Sequence, residues 1–526
     1  MYVRRKPNKT GTVSVQVISK HTGKYRVLRS FGAGRTDQEL VHLEEHARQF
    51  ISRQHGFVGE LFADEDEVRL EDFLSTISNT QIQVVGPELI FGRLYDRIGY
   101  GKINNDMFRH LVIGRLFNPG SKLKTIDYLE RYHGITYSID RIYRFSDTLC
   151  KKADNSCPAR KHRQETDIKE LVEQITFEHT KRVLKDKITV AFYDMTTLYF
   201  EASDEDDLRK TGFSKDGKHQ CPQIFLGLLT ANEGNPIGYE IFEGNVFEGH
   251  TLIPVLQNIE KKYSLGKPIV VADAALLSDD NRKSLEEKGY EYILGARIKN
   301  SKQNLKETIR SLNLKNNQSK SLKQADGTRL IVSMSDKRAI KDKHDREKGM
   351  ERLKKRLKSG KLTKSNINNR GYNKYLKLEG KIEITIDEEK FAADAAWDGI
   401  KGYVTNTKLS TKKVIENYGS LWYIERAFRM NKTDLRIRPI YHHLKNRIEG
   451  HICICFTAYT ILLEMERMLK HAKSEITVKR AQELTKTMYQ LTYRLPKSRL
   501  TKSKTLQMDN QQKKLYDMVV NWSNRK

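Results

Sequence analysis

The chain has 526 residues, with 95 Lys and Arg against 67 Asp and Glu, for a formal charge of +28. That length allows several domains, and the cation excess favours a polyanionic partner, above all nucleic acid. Five scattered Cys without a CxxC pair (Cys150, Cys157, Cys221, Cys453, Cys455) argue against a disulfide frame or a zinc site, and the absence of a long apolar run or a signal-peptide core leads us to expect a soluble cytoplasmic protein with no membrane association.

Residues 1–35 alternate around Val13, Val15, Val17, Tyr25 and Val27, with His21–Gly23 as the turn, which predicts a small β unit. Its Arg4, Arg5, Lys6, Lys24, Arg26 and Arg29 make it basic. A helix is predicted from Asp37 to Gln54, followed by an acidic connector, Ala63–Val85. Residues 86–185 read as helical. Pro87 starts one helix, Met107 to Phe117 is a second stopped by Asn118-Pro119-Gly120, Ser121 caps a third, and Ile139 to Lys152 gives a fourth. Short basic helices with tight turns fit either a helix-turn-helix DNA reader or a plain helical scaffold.

The periodicity then changes. Ile188–Ala202 is β-rich and carries Asp194 among apolar neighbours, where a carboxylate is costly to bury unless paired or metal-bound. Strands are predicted at Gln223–Thr230 and Pro236–Phe242, a helix at Thr251–Tyr263, a short buried strand at Lys267–Asp273, and a helix end with a strand in Leu285–Arg297. Three antiparallel strands, a helix, a strand ending on an acid, then a helix and a strand is the order of an RNase H-like fold. In that fold the acids of the first and fourth strands, here Asp194 and Asp273, lie side by side.

Residues 301–400 are mixed and highly charged, with a long helix over Arg338–Ser359 and strands at Arg329–Ser333, Tyr375–Gly380 and Lys381–Asp387. Gly402–Thr407 resumes the strand pattern. Val414–Leu435 follows, free of Pro and with apolar residues at helical spacing, so one helix is predicted. Glu425, Arg429 and Lys432 then share one face, joined by Tyr418 seven residues earlier. A metal-holding carboxylate beside phosphate-holding cations needs this arrangement; a solvated helix face with an ion pair has it too. His451–Lys470 reads as a strongly apolar helix in which Cys453 and Cys455 pack the core, and the tail from Lys473 is read as basic and helical, with an LPKSR linker at Leu495–Arg499.

Four stretches carry a resemblance: YDMTTLYF around Asp194, Gly212 to Asn245, VVADAALLS around Asp273, and WYIERAFRMNKTDLRIRPIYH around Glu425. With them the chain resembles bacterial insertion-sequence transposases of the DDE superfamily, in the branch whose core is interrupted by a β-rich insertion. Between Asp194 and Asp273 lie 78 residues and between Asp273 and Glu425 lie 151, which leaves room for the insertion. The family's glutamate motif spaces Tyr, Arg, Glu and Lys; Tyr418, Glu425 and Lys432 match, and Leu421 stands where Arg is expected, with Arg426 or Arg429 as stand-ins.

The resemblance implies an α/β fold with an RNase H-like catalytic core, a mixed β-rich insertion, and helical N-terminal and C-terminal regions. The corresponding domains are a basic β unit and helix (1–60), a helical DNA-binding region (61–185), the split core (186–300 and 401–470), the insertion (301–400) and a basic helical tail (471–526). It implies a transposase that binds the inverted repeats at the ends of an insertion sequence, cleaves DNA and joins it to a target. Asp194, Asp273 and Glu425 would hold two Mg²⁺ or Mn²⁺ ions, and Tyr418, Arg426, Arg429, Lys432 and Trp397 would contact DNA. In hairpin-forming relatives an aromatic from the inserted segment stacks on a flipped base, the role implied for Trp397; packing of the insertion against the core is the alternative that we favour for it. The working form would be a DNA-bound homodimer in the bacterial cytoplasm, at the nucleoid. A nuclease without strand transfer and a transposase-derived DNA-binding protein are the competing functions.

Overall fold

The computed structural model describes all residues except 10, 22–23, 63–69, 72, 151–166, 215–216, 264, 277, 360–361, 363–366, 369–370, 380–382, 496–497 and 525–526. Cys157, part of the acidic connector and part of the LPKSR linker lie outside the described residues. The chain divides into two units, Met1–Ile82 with Gln490–Lys504, and Gln83–Tyr489 with Thr505–Lys526.

In the smaller unit β1 (Tyr2–Pro7), β2 (Val13–His21) and β3 (Lys24–Gly34) form an antiparallel sheet in that order, backed by the helix Asp37–Phe62. The valine alternation sets its sidedness. Val15 and Val17 are buried with Leu40 and Ala47, while Tyr25 and Val27 remain exposed. The last residue of this first segment, Ile82, opens the short strand β4 (Ile82–Val84).

The larger unit is mixed α/β, built on one eight-stranded sheet. Its strands are β5 (Val190–Tyr199), β6 (Gln223–Thr230), β7 (Pro236–Glu243), β8 (Ile269–Ala272), β9 (Tyr292–Ala296), β10 (Ser319–Lys323), β11 (Arg329–Met334) and β14 (Ile400–Thr405), in the order β10-β11-β14-β9-β8-β5-β6-β7. β5 runs parallel to β8, and β8 to β9; the other pairs are antiparallel. β5 is buried on both faces except at Asp194 and Tyr199, and β6 is buried throughout, as expected of central strands covered on both sides.

The predicted insertion is only partly separate. β10 and β11 extend the main sheet through β14. The helix Asp336–Lys358, the hairpin of β12 (Leu376–Glu379) and β13 (Glu383–Ile386), and the helix Glu388–Ala395 gather around their own small core of Met350, Leu353, Tyr375 and Leu376.

Four helices, Arg93–Ile98, Asp106–Phe117, Ile139–Thr148 and Ile168–Val183, pack on the long helix Lys445–His471, whose Cys453 and Cys455 are fully buried. Glu464 of that helix is 1 % exposed and joins four elements: it receives hydrogen bonds from His179, Arg467, Arg97 and the Trp522 indole. Burial pushes its carboxyl up, but the His179 bond, the Arg467 charge and the Trp522 bond outweigh that and hold it at about 2. The tail differs from the helical expectation. Between the helices Val478–Thr485 and Asn510–Ser523 it forms a hairpin of β15 (Tyr489–Arg494) and β16 (Thr501–Thr505), whose Tyr, Gln, Leu and Thr residues suit a strand.

Candidate active site

Strand register brings the two aspartates together. The last parallel pair between β5 and β8 is Tyr193 with Ala272, so Asp194 and Asp273 are the next residues on neighbouring strands. Side-chain alternation gives them one face. Tyr193 and Met195 enter the core on one side of the sheet, while Phe192, Leu198 and Val271 enter the core on the other, the side of Asp194 and Asp273. The helix Trp422–Thr433, bearing Glu425, packs on β5 on that side, with Ile424 and Phe428 in the same core. Asp194 is half-buried and its Oδ1 accepts the Met195 N–H at 2.7 Å, whereas Asp273 and Glu425 are exposed.

The predicted single helix is two. Thr411–Gly419 ends before Ser420, and Trp422–Thr433 begins after Leu421. The Ser420 hydroxyl bonds back to the Glu416 carbonyl, and Tyr423 and Ile424 donate to carbonyls three residues back, so the chain tightens at the Gly419-Ser420 step. Tyr418 therefore reaches the site from its own helix. It is 5 % exposed, and its hydroxyl donates to Asp273 Oδ1 at 2.9 Å. Burial, then the Asp273 charge, raises the phenol well above its ordinary value. Gly295 on β9 makes room for this bond, since a Cβ there would collide with the Tyr418 hydroxyl.

Leu421, which stands where the glutamate motif has Arg, is 7 % exposed and packs in the core. Arg429 is exposed and Lys432 half-buried on the Glu425 helix, but Arg426 pairs with Glu466 of the long helix at 2.6 Å. Trp397 is 5 % exposed among apolar residues, with the Arg310 guanidinium 5.1 Å from its ring, so stacking on a base would require the indole to leave its core position.

Two cations escaped the sequence reading. Lys401 of β14 lies over the Tyr418 ring at 4.3 Å; burial and the charge of Arg338 lower its ammonium, while Asp273 and Glu425 pull it back up. The sequence held no signal for either, because Lys401 and Arg338 reach the site through β14 and the helix after β11. Among the described residues no three His, Cys, Asp or Glu side chains converge closely enough to hold a metal ion as they stand. The oxygen donors of Asp194, Asp273 and Glu425 nonetheless have the chemistry that Mg²⁺ or Mn²⁺ takes.

A profile of the transposase DDE domain family matches residues 185–461, more than half of the chain. The chain belongs to the transposase DDE domain family. That match spans all three carboxylates. Among solved structures, this family member is similar to the piggyBac transposase in its synaptic complex with hairpin DNA, at 9 % identity and a TM-score of 0.36, over 76 % of this chain and 78 % of that one. Among curated proteins none matches. No helix among the described residues is long and apolar enough to cross a membrane.

Proposed function

We propose that this transposase binds the ends of a mobile element, cleaves a DNA strand there and transfers the end to a target, with Asp194, Asp273 and Glu425 as its metal-holding carboxylates. The observation that carries this reading is the β5–β8 register, which sets Asp194 beside Asp273 on the face covered by the Glu425 helix. The strand order β7-β6-β5-β8-β9, with β5, β8 and β9 parallel, supports an RNase H-like core split between residues 186–300 and 401–470. Divalent ions held by these carboxylates would activate a water or a 3′-hydroxyl and stabilise the leaving oxygen of an in-line phosphoryl transfer.

The chain's own residues do the rest. Tyr418 orients Asp273 through its hydroxyl. Arg429 and Lys432 bind the backbone near the scissile phosphate, and Lys401 with Arg338 supplies positive charge beside Tyr418. The +28 charge supplies the non-specific attraction to DNA, and a homodimer would hold two ends at once. The test is incubation of the full chain with an end-containing duplex and Mg²⁺, followed by assay of cleavage and of joining to a target plasmid. Cleavage without joining would make the protein a nuclease, and binding without cleavage a DNA-binding protein.

A further inference from the structure

A second basic site lies away from the carboxylates. Arg115 and Lys122 are each 6 % exposed, and neither has a carboxylate partner among the described residues. Around them stand His451, 6 % exposed, and half-buried His442, with their rings 5.8 Å apart. The His451 Nε2–H donates to the Ile437 carbonyl at 2.9 Å, which leaves Nδ1 unprotonated to accept from Arg115 at 3.4 Å. Both imidazoles are held neutral: burial, with Lys122, Arg447 and Arg115 beside it, lowers His442 to about 3, and burial with Arg115 and Lys122 holds His451 well below its ordinary value. Lys122 is the first residue of the helix Lys122–His133, where the helix dipole also repels a cation.

Such a cluster is unfavourable by itself. Buried charges are ordinarily paired, and here, among the described residues, two cations converge at a helix N-terminus beside the His442 and His451 imidazoles and the Cys455 thiol, with no carboxylate partner of their own. An anion with several acceptor oxygens would satisfy the guanidinium, the ammonium and the helix N–H groups together. We propose that Arg115, Lys122 and His442 form a phosphate-binding site for a nucleic-acid backbone. This rests on the DNA-processing function above for the identity of the ligand, but not for the existence of the site.

Position favours a backbone phosphate flanking the cleaved one. Ile440, two residues before His442, bridges to Phe200, six residues beyond Asp194 along β5. At a strand rise of about 3.3 Å that is roughly 20 Å from Asp194, or about six nucleotide steps. Basic residues line the way: Lys218 and Arg438 each lie 5.7 Å from the Tyr199 ring, and Arg209 bonds His443 at 2.9 Å.

The experiment is thermal unfolding of the full chain titrated with inorganic phosphate at constant ionic strength, in wild type and Lys122→Met. Wild type should gain about 2 °C or more with saturation, while Lys122→Met, relieved of a buried cation, should melt no lower than wild type without phosphate and gain nothing from it. Equal gains in both, or a wild-type response no larger than to chloride, would overturn the site. Should Lys122→Met fail to fold, saturable phosphate binding by wild-type calorimetry, lost in Arg115→Gln, decides instead. A further arm saturates wild type with a duplex of element-end sequence. The phosphate gain should then vanish; a gain that persists would mean the site takes free phosphate rather than backbone. Failure of cleavage in the Mg²⁺ assay would overturn the transposition reading and leave the phosphate titration unaffected.

Discussion

Leu421→Arg restores the residue that the family's glutamate motif asks for, and the structure makes it a test of how the Glu425 helix sits. Leu421 is 7 % exposed, at the junction of two helices and inside the larger core. Removing its side chain from that core loses about 1.5–3 kcal/mol of apolar burial. Placing an unpaired guanidinium there adds at least a comparable desolvation cost, so the total is about 3–5 kcal/mol. At roughly 1 °C per kcal/mol for a unit of this size, the melting temperature should fall by about 3–5 °C. Leu421→Met, which conserves volume and polarity, should cost under about 1.5 kcal/mol and serves as the control. Differential scanning fluorimetry of the full chain reads both, with DNA cleavage measured below the lower transition. A Leu421→Arg protein that melts like wild type and cleaves at least as fast would refute the reasoning, because it would put position 421 in the DNA groove.

Asp194→Asn, Asp273→Asn and Glu425→Gln should each abolish Mg²⁺-dependent cleavage while DNA affinity in a gel-shift assay stays within a few-fold of wild type; near-normal cleavage by any one would remove it from the metal-holding set. Tyr418→Phe keeps the ring and loses only the hydroxyl bond to exposed Asp273, a loss of about 1 kcal/mol, so stability should barely change while the Mg²⁺ concentration needed for half-maximal cleavage rises. Trp397→Ala should cost about 3–5 kcal/mol and impair every catalytic step together through folding, whereas loss of one late step at wild-type stability would favour base stacking. Burial and the Arg115 charge lower Lys122 from an ordinary 10.5 to about 7, so between those values the unfolded chain binds a proton that the folded chain does not; stability therefore rises with pH across that window. In phosphate-free buffer, the stability of wild type relative to Lys122→Met should climb by up to about 1.4 kcal/mol per pH unit from pH 7 to 9, and parallel curves would contradict this. DNA affinity should fall steeply along a NaCl series, since phosphate contacts release counterions.

Sequence by itself determined what depends on short-range period. The apolar run around Asp194, the strand over Gln223–Thr230 and the valine alternation of the first sheet each follow from spacing that one strand must satisfy locally. That Asp194 and Asp273 would stand side by side was legible from the order of the strands, and the β5–β8 register sets them next to each other. Tertiary structure decided the rest. The break between Thr411–Gly419 and Trp422–Thr433 falls inside a continuous run of apolar spacing, which does not register it. The burial of Leu421 depends on which side of its helix the core lies, and the room for Tyr418 beside Asp273 depends on Gly295, over a hundred residues earlier in the chain. β10 and β11 join the main sheet through pairing with β14, a long-range register that neither segment encodes alone. The cluster of Arg115, Lys122, His442 and His451 has the same origin: helices and a loop distant in sequence pack so that four basic side chains share one desolvated space, and no local pattern gives their separation.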